Sequence, residues 1–98
     1  MAQRKVSILS KAVEEVASVA YFIESQGMPS TAKKFVDECF TFFEKLGNSK
    51  IKHKPCTFEI WNVQGFRCAN FRKKYVVAYL DTDDEVVICD FALQKLLM

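Results

Sequence analysis

The sequence predicts an α+β fold in which an N-terminal strand and a two-helix antiparallel hairpin pack on a four- to five-stranded, mainly antiparallel sheet. Three observations predict it. Residues 65–91 contain three runs rich in β-branched and aromatic residues, Phe66–Phe71, Tyr75–Leu80 and Glu85–Phe91, parted by the short polar breaks Arg72–Lys74 and Asp81–Asp84. Upstream, two stretches repeat apolar residues every three or four positions. A short alternating stretch precedes both. The chain has 98 residues, enough for one core and too few for two.

Taken in order, Lys5, Val6, Ser7 and Ile8 alternate as a strand does, with Val6 and Ile8 facing inward and the meander as the pairing partner. Ser10 reads as an N-cap, and Ala12, Val13, Val16, Ala17, Ala20 and Ile23 mark a helix over about residues 11–26 that stops at Gly27. Pro29 suits the first turn of a second helix, about residues 30–46, in which Ala32, Phe35, Val36, Cys39, Phe43 and Leu46 form the stripe. So few residues separate the helices that they must run antiparallel. Residues 47–57 follow neither period and read as a loop, and the alternation of Phe58 and Ile60 about Glu59 suggests one more strand over 58–63. In the meander, Val76, Val77 and Ala78 lie between two tyrosines and Leu80 follows the second, so this strand is apolar on both faces and should be the most buried.

Half of the residues are hydrophobic and 27% are charged, which places the chain with globular rather than disordered proteins. The net charge of +2 decides little, but its distribution is uneven. Between Lys50 and Lys74 seven Lys or Arg face a single acid, Glu59, whereas Asp81–Asp90 carries five acids and no base, so one end of the sheet attracts anions and the other repels them. Four cysteines, Cys39, Cys56, Cys68 and Cys89, form no Cys-x-x-Cys pair and follow no secretory signal, so free thiols in a reducing cytoplasm are expected. No apolar run is long enough to span a membrane.

The order strand, helical hairpin, basic loop and antiparallel meander resembles the ParE/RelE superfamily of toxins from bacterial type II toxin–antitoxin systems. The resemblance rests on Val6-Ser7-Ile8-Leu9-Ser10-Lys11-Ala12, Ala32-Lys33-Lys34-Phe35, Gly65-Phe66-Arg67, Tyr75-Val76-Val77-Ala78-Tyr79 and Glu85-Val86-Val87-Ile88, and covers nearly all of residues 1–98 as one toxin-like domain. It implies a cytoplasmic protein neutralised by a cognate antitoxin, and either of two targets, DNA gyrase or ribosome-bound mRNA. Members that cleave mRNA need several Lys and Arg around the scissile phosphate, to take a proton, supply one and offset the charge of the transition state. Here Arg67 matches one such position and is the candidate catalytic residue, whereas Ala69, Val76 and the tail Ala92–Leu97 stand where that branch carries basic or tyrosyl side chains. The resemblance therefore implies a ParE-like protein without an intact ribonuclease site, with a RelE-like ribonuclease or a non-toxic relic of the fold as alternatives.

Each candidate residue has a plain reading beside the functional one. Arg67 holds a phosphate, or pairs with Glu59. Lys50, Lys52, His53 and Lys54 track a nucleic-acid backbone around one titratable imidazole, or form a solvated loop. Arg72, Lys73 and Lys74 line a groove, or cap a hairpin. Phe40 and Phe42, off the main helical stripe, and Leu96 and Leu97 in the apolar tail are places for a partner protein, or complete the core. Trp61 stacks a base or joins the core, the commoner fate. His53, Cys56 and Cys68 or Cys89 fit no zinc spacing, and no orienting group accompanies a Cys–His pair, so no metal and no cofactor is expected.

Overall fold

A computed structural model describes residues 4–48 and 53–97. The elements are β1 (Lys5–Ile8), α1 (Ser10–Ser25), α2 (Pro29–Lys45), α3 (Glu59–Asn62), β2 (Arg67–Phe71), β3 (Tyr75–Asp81) and β4 (Glu85–Leu93), followed by a 3-10 turn at Gln94–Leu96. The strands form one sheet in the order β1-β4-β3-β2. β2, β3 and β4 are the expected antiparallel meander, and β1 joins it alongside β4 in parallel, with Val6 opposite Val86 and Ile8 opposite Ile88. The architecture is the predicted α+β arrangement, on a sheet that is mixed because the chain crosses over through the helical hairpin before returning to β4.

β3 lies inside the sheet and its first five residues, Tyr75 to Tyr79, are all buried. Alternation along β3 sends Tyr75, Val77 and Tyr79 to one face and Val76 and Ala78 to the other. The first face meets the hairpin. Ala12 and Val16 of α1 and Phe35, Cys39 and Phe43 of α2, at four-residue steps, bury against Ala69, Phe71, Val86, Ile88 and Phe91. Phe35 is the hub, with ring centroids 5.4 Å from Tyr75, 6.2 Å from Phe71 and 6.3 Å from Phe91. Aromatic burial on this scale dominates the energetics of so small a core. Between Ala78 and Tyr79 the β3–β4 register shifts, which leaves Cys89 as the extra residue of a bulge.

The second face is covered by residues 53–66, whose Cys56 and Trp61 pack on Val76 and Ala78 with Phe58, Phe66 and Leu97 beside them. This segment corrects the sequence reading in one element. Residues 58–63 are not a strand: Glu59–Asn62 is a single helical turn, because the side chains turned to the sheet are the half-buried Phe58 and the buried Trp61, three apart, while Ile60 is 64% exposed. Gly65, at φ 78°, ends the turn, with Phe66 N–H donating to the Trp61 carbonyl at 3.2 Å and Gly65 N–H to that of Asn62 at 3.0 Å. Trp61 is core, as the plain reading had it.

Two further expectations change. Ser10 does not cap α1; the helix begins at Ser10, and Leu9, in extended conformation, precedes it with no side-chain cap. The cysteines are not all free. Cys56 and Cys68 form a disulfide, while Cys39 and Cys89 are buried thiols. The reason is an edge pairing that periodicity does not reveal: Pro55 bridges Arg67 antiparallel, Cys68 N–H donates to the Lys54 carbonyl at 3.2 Å and Cys56 N–H to that of Phe66 at 2.9 Å. The two Cα atoms are thereby brought to 4.8 Å, within bonding reach.

Candidate functional site

Polar candidates gather at one end of the hairpin-covered face, beside the C-terminal end of α2. Arg67 opens β2 opposite Tyr79, and Asp81 lies two residues beyond Tyr79 on the same face. Arg4, just before β1, is held by its N–H to the Gly47 carbonyl at 3.1 Å. The Asp81 carboxylate pairs with Arg4 Nη1 through one oxygen and lies 3.5 Å from Arg67 Nε through the other. Arg4 also donates to the Thr82 carbonyl at 2.7 Å, and Arg67 Nη1 to the His53 carbonyl at 2.5 Å. The guanidinium of Arg67 thus faces a carboxylate and a carbonyl. Its acidic partner is Asp81, not Glu59.

His53 completes the cluster, with Nδ1 2.7 Å from the Tyr79 hydroxyl. Burial, and then the Arg67 charge, hold the imidazole below its ordinary range, with Asp81 acting in the opposite sense. Burial and the Asp81 charge raise the Tyr79 phenol, so Tyr79 stays protonated, and its hydroxyl and Nδ1 of the neutral imidazole share one hydrogen bond whose direction follows the tautomer. Either way Nδ1 is engaged within the chain.

At the other end of β3 the basic hairpin turns through Arg72 and Lys73, both at positive φ, 56° and 62°, with Lys74 N–H donating to the Phe71 carbonyl at 3.3 Å. Such a pair of left-handed residues matches the twist of the flanking strands. Arg72 is engaged within the chain: it pairs with Glu38 of α2 and lies 5.4 Å over the Phe35 ring and 5.5 Å over that of Phe71. Lys73 and Lys74 remain exposed.

Those two lysines rim a groove of about 760 Å³ between α1, the hairpin and the end of β4. Ser18, Val19 and Phe22 form one wall, Tyr75 and Leu93 the floor, and Gln94 and Lys95 the far side. The Gln94 N–H donates to the Lys74 carbonyl at 2.8 Å and closes that side. Three lysines and no acid line this groove, and beside it Tyr21 and Phe22 are 73% and 63% exposed. Two large aromatic rings in water on one helix turn are unusual for a monomer surface.

The remaining candidates fall elsewhere. Phe40 and Phe42 are half-buried and pack on the core, Phe42 with its ring 5.1 Å from Phe71, and Phe40 5.5 Å from Phe43. Leu97 packs against the Trp61 cluster, and Leu96 is 72% exposed. Lys54 is exposed and lies at the start of the covering segment; Lys50 and Lys52 lie outside the described residues. No group of three potential metal ligands occurs among the described residues, and none of their helices is long and apolar enough to cross a membrane. The structure therefore brings Arg67 and His53 together but sets Arg72, Lys73 and Lys74 at the opposite end of β3. Sequence reasoning missed Arg4, Tyr79 and Asp81, whose meeting depends on strand register, and missed Tyr21 and Phe22, whose signal was available as two aromatics off the α1 stripe.

Comparison with known proteins adds to this geometry. No family model and no curated protein matches the sequence. Among solved structures, a chain of the chromosomal ParDE TA (toxin–antitoxin) system from P. aeruginosa superimposes with a TM-score of 0.77 over 93% of this chain and 96% of that one. The two chains share one fold. Their sequence identity is 14%, so the likeness to the ParDE chain is one of architecture, and it agrees with the ParE/RelE-type resemblance drawn from the order of the elements.

Proposed function

We propose that this chain is the toxin-like component of a toxin–antitoxin pair, neutralised by a cognate antitoxin and lacking an intact ribonuclease site. The observation that carries the reading is the shared fold with a ParDE chain along almost the whole length of both. Two features of the site support its finer part. Arg67 faces Asp81 and the His53 carbonyl rather than an open phosphate site, and Ala69 and Val76, where a nuclease would place cations, are each 1% exposed within the core. A base, an acid and positive charge around one open phosphate site are what 2′-hydroxyl attack requires. Here the two guanidiniums share one carboxylate and are engaged by acceptors of the chain itself, and the imidazole Nδ1 is taken up by Tyr79, which speaks against such a site.

The partner's place is the groove beside Phe22. Its apolar walls suit one face of an amphipathic helix, and Lys73, Lys74 and Lys95 suit acidic residues flanking that face. Phe40 and Phe42, half-buried on the core, are less suited, and Leu96 can extend the contact. Induced expression tests the target. On this reading growth stops, Arg67→Ala does not relieve the arrest, and ribosome-bound message stays intact; DNA breakage would then point to gyrase. Message cleavage that Arg67→Ala abolishes would overturn the reading in favour of a ribonuclease, and absence of arrest would favour a relic.

A further inference from the structure

Residues 53–66 cover Val76 and Ala78 on one face of the β2–β3 ladder, held there, besides the disulfide, by one small apolar cluster and a few hydrogen bonds. Their helical turn has four residues, too few to persist alone. Their ladder contact with β2, an edge strand, is the single bridge at Pro55 with the two flanking hydrogen bonds. Trp61 and Cys56 supply the apolar anchor, and the Asn62 side chain donates to the Cys56 carbonyl at 2.7 Å. We propose that the Cys56–Cys68 pair is a thiol–disulfide exchange site for low-molecular-weight thiols, and that exchange there decides whether residues 53–66 stay seated on the sheet. This inference does not depend on the toxin reading.

Access and chemistry both favour this pair. Cys68 is half-buried on the edge strand, whereas Cys56 is 1% exposed. An incoming thiolate therefore reaches the Cys68 sulfur, forms a mixed disulfide with it and expels Cys56 as a thiolate, which takes a proton. A second thiolate attacks the small-molecule sulfur and releases Cys68. Two thiols are oxidised to one external disulfide, and the protein gains two electrons and two protons. The other two cysteines take no comparable part: burial pushes the Cys39 thiol up to about 12 and raises that of Cys89. Once the link opens, the segment keeps its single bridge, the Trp61 cluster and the His53–Tyr79 hydrogen bond, so the His53 carbonyl that engages Arg67 is held less firmly.

The test uses the full chain. Alkylation in denaturant without reductant should label two of the four cysteines, and all four after dithiothreitol. Amide exchange on the folded protein should rise at least tenfold across residues 56–66 on reduction, with the α1–α2 hairpin unchanged, and glutathione disulfide should restore protection. A Cys56→Ala/Cys68→Ala variant should exchange like the reduced protein whatever the redox state. Four thiols in protein purified under oxidising conditions would overturn the proposal. So would unchanged exchange on reduction, or loss of protection spread over the whole chain.

Discussion

Replacing Asp81 by Ala removes the one carboxylate that faces both Arg4 and Arg67. The Asp81 side chain is 10% exposed and that of Arg4 is 13%, so the pair is nearly closed to water, and Arg4 Nε already has no partner among the described residues. Losing one member of a buried pair costs about 3–5 kcal/mol, because the other charge stays behind uncompensated. The low end applies here, since Arg4 keeps the Thr82 carbonyl. Arg67, with its side chain 38% exposed and its contact at 3.5 Å, adds at most about 1 kcal/mol after screening. The expected loss is about 3 kcal/mol, which for a domain of this size lowers Tm by roughly 12–24 °C. Guanidinium denaturation followed by Trp61 fluorescence gives the free energy, and thermal circular dichroism the midpoint. An Arg4→Met/Asp81→Leu double variant should recover much of the loss, because no charge is left stranded. A loss below about 1 kcal/mol for Asp81→Ala, or a double variant no better than the sum of the singles, would refute this account of the cluster.

Two further predictions concern the ends of β3. His53 has a folded pKa held below its unfolded value near 6.5, so protonation favours the unfolded chain; stability is fully present above about 6.5 and falls as pH drops below it. Denaturation midpoints from pH 8 to 5 should show this decline in the parent and a shallower one in His53→Gln; parallel slopes would contradict it. Lys73→Gly removes a side chain from a residue at φ 62° and should raise stability by roughly 0.5–1 kcal/mol by urea denaturation, where a loss would show that the turn carries no such strain.

Much of the fold was legible because the strongest signals were periodic. The stripe Ala32, Phe35, Cys39, Phe43 could only be a helix, and β3, apolar on both faces, could only be an inner strand. Residues 58–63 misled because alternation over so short a stretch also fits one turn of helix, and only the burial of Phe58 with Trp61 tells the two apart. The disulfide was not legible, since Cys56 and Cys68 meet through an edge pairing set by a loop without period. Arg67 was singled out by the position it matches in the family resemblance, but its acidic partner was hidden: Asp81 ends β3, and register alone brings it near. Phe22 stood in the sequence as an aromatic off the α1 stripe, but a stripe says which side chains face the core and little about the role of those it leaves outside.

The most direct test of the toxin reading is growth of cells induced to express this chain alone, or together with the product of the adjacent reading frame, with Phe22→Glu as the comparison. The account predicts arrest by the chain alone, rescue by the neighbour, and arrest without rescue for Phe22→Glu, since a carboxylate in the groove repels an acidic partner but leaves the rest of the molecule intact. Rescue undiminished by Phe22→Glu would remove the groove from the account. Absence of arrest by the parent chain would contradict its central claim.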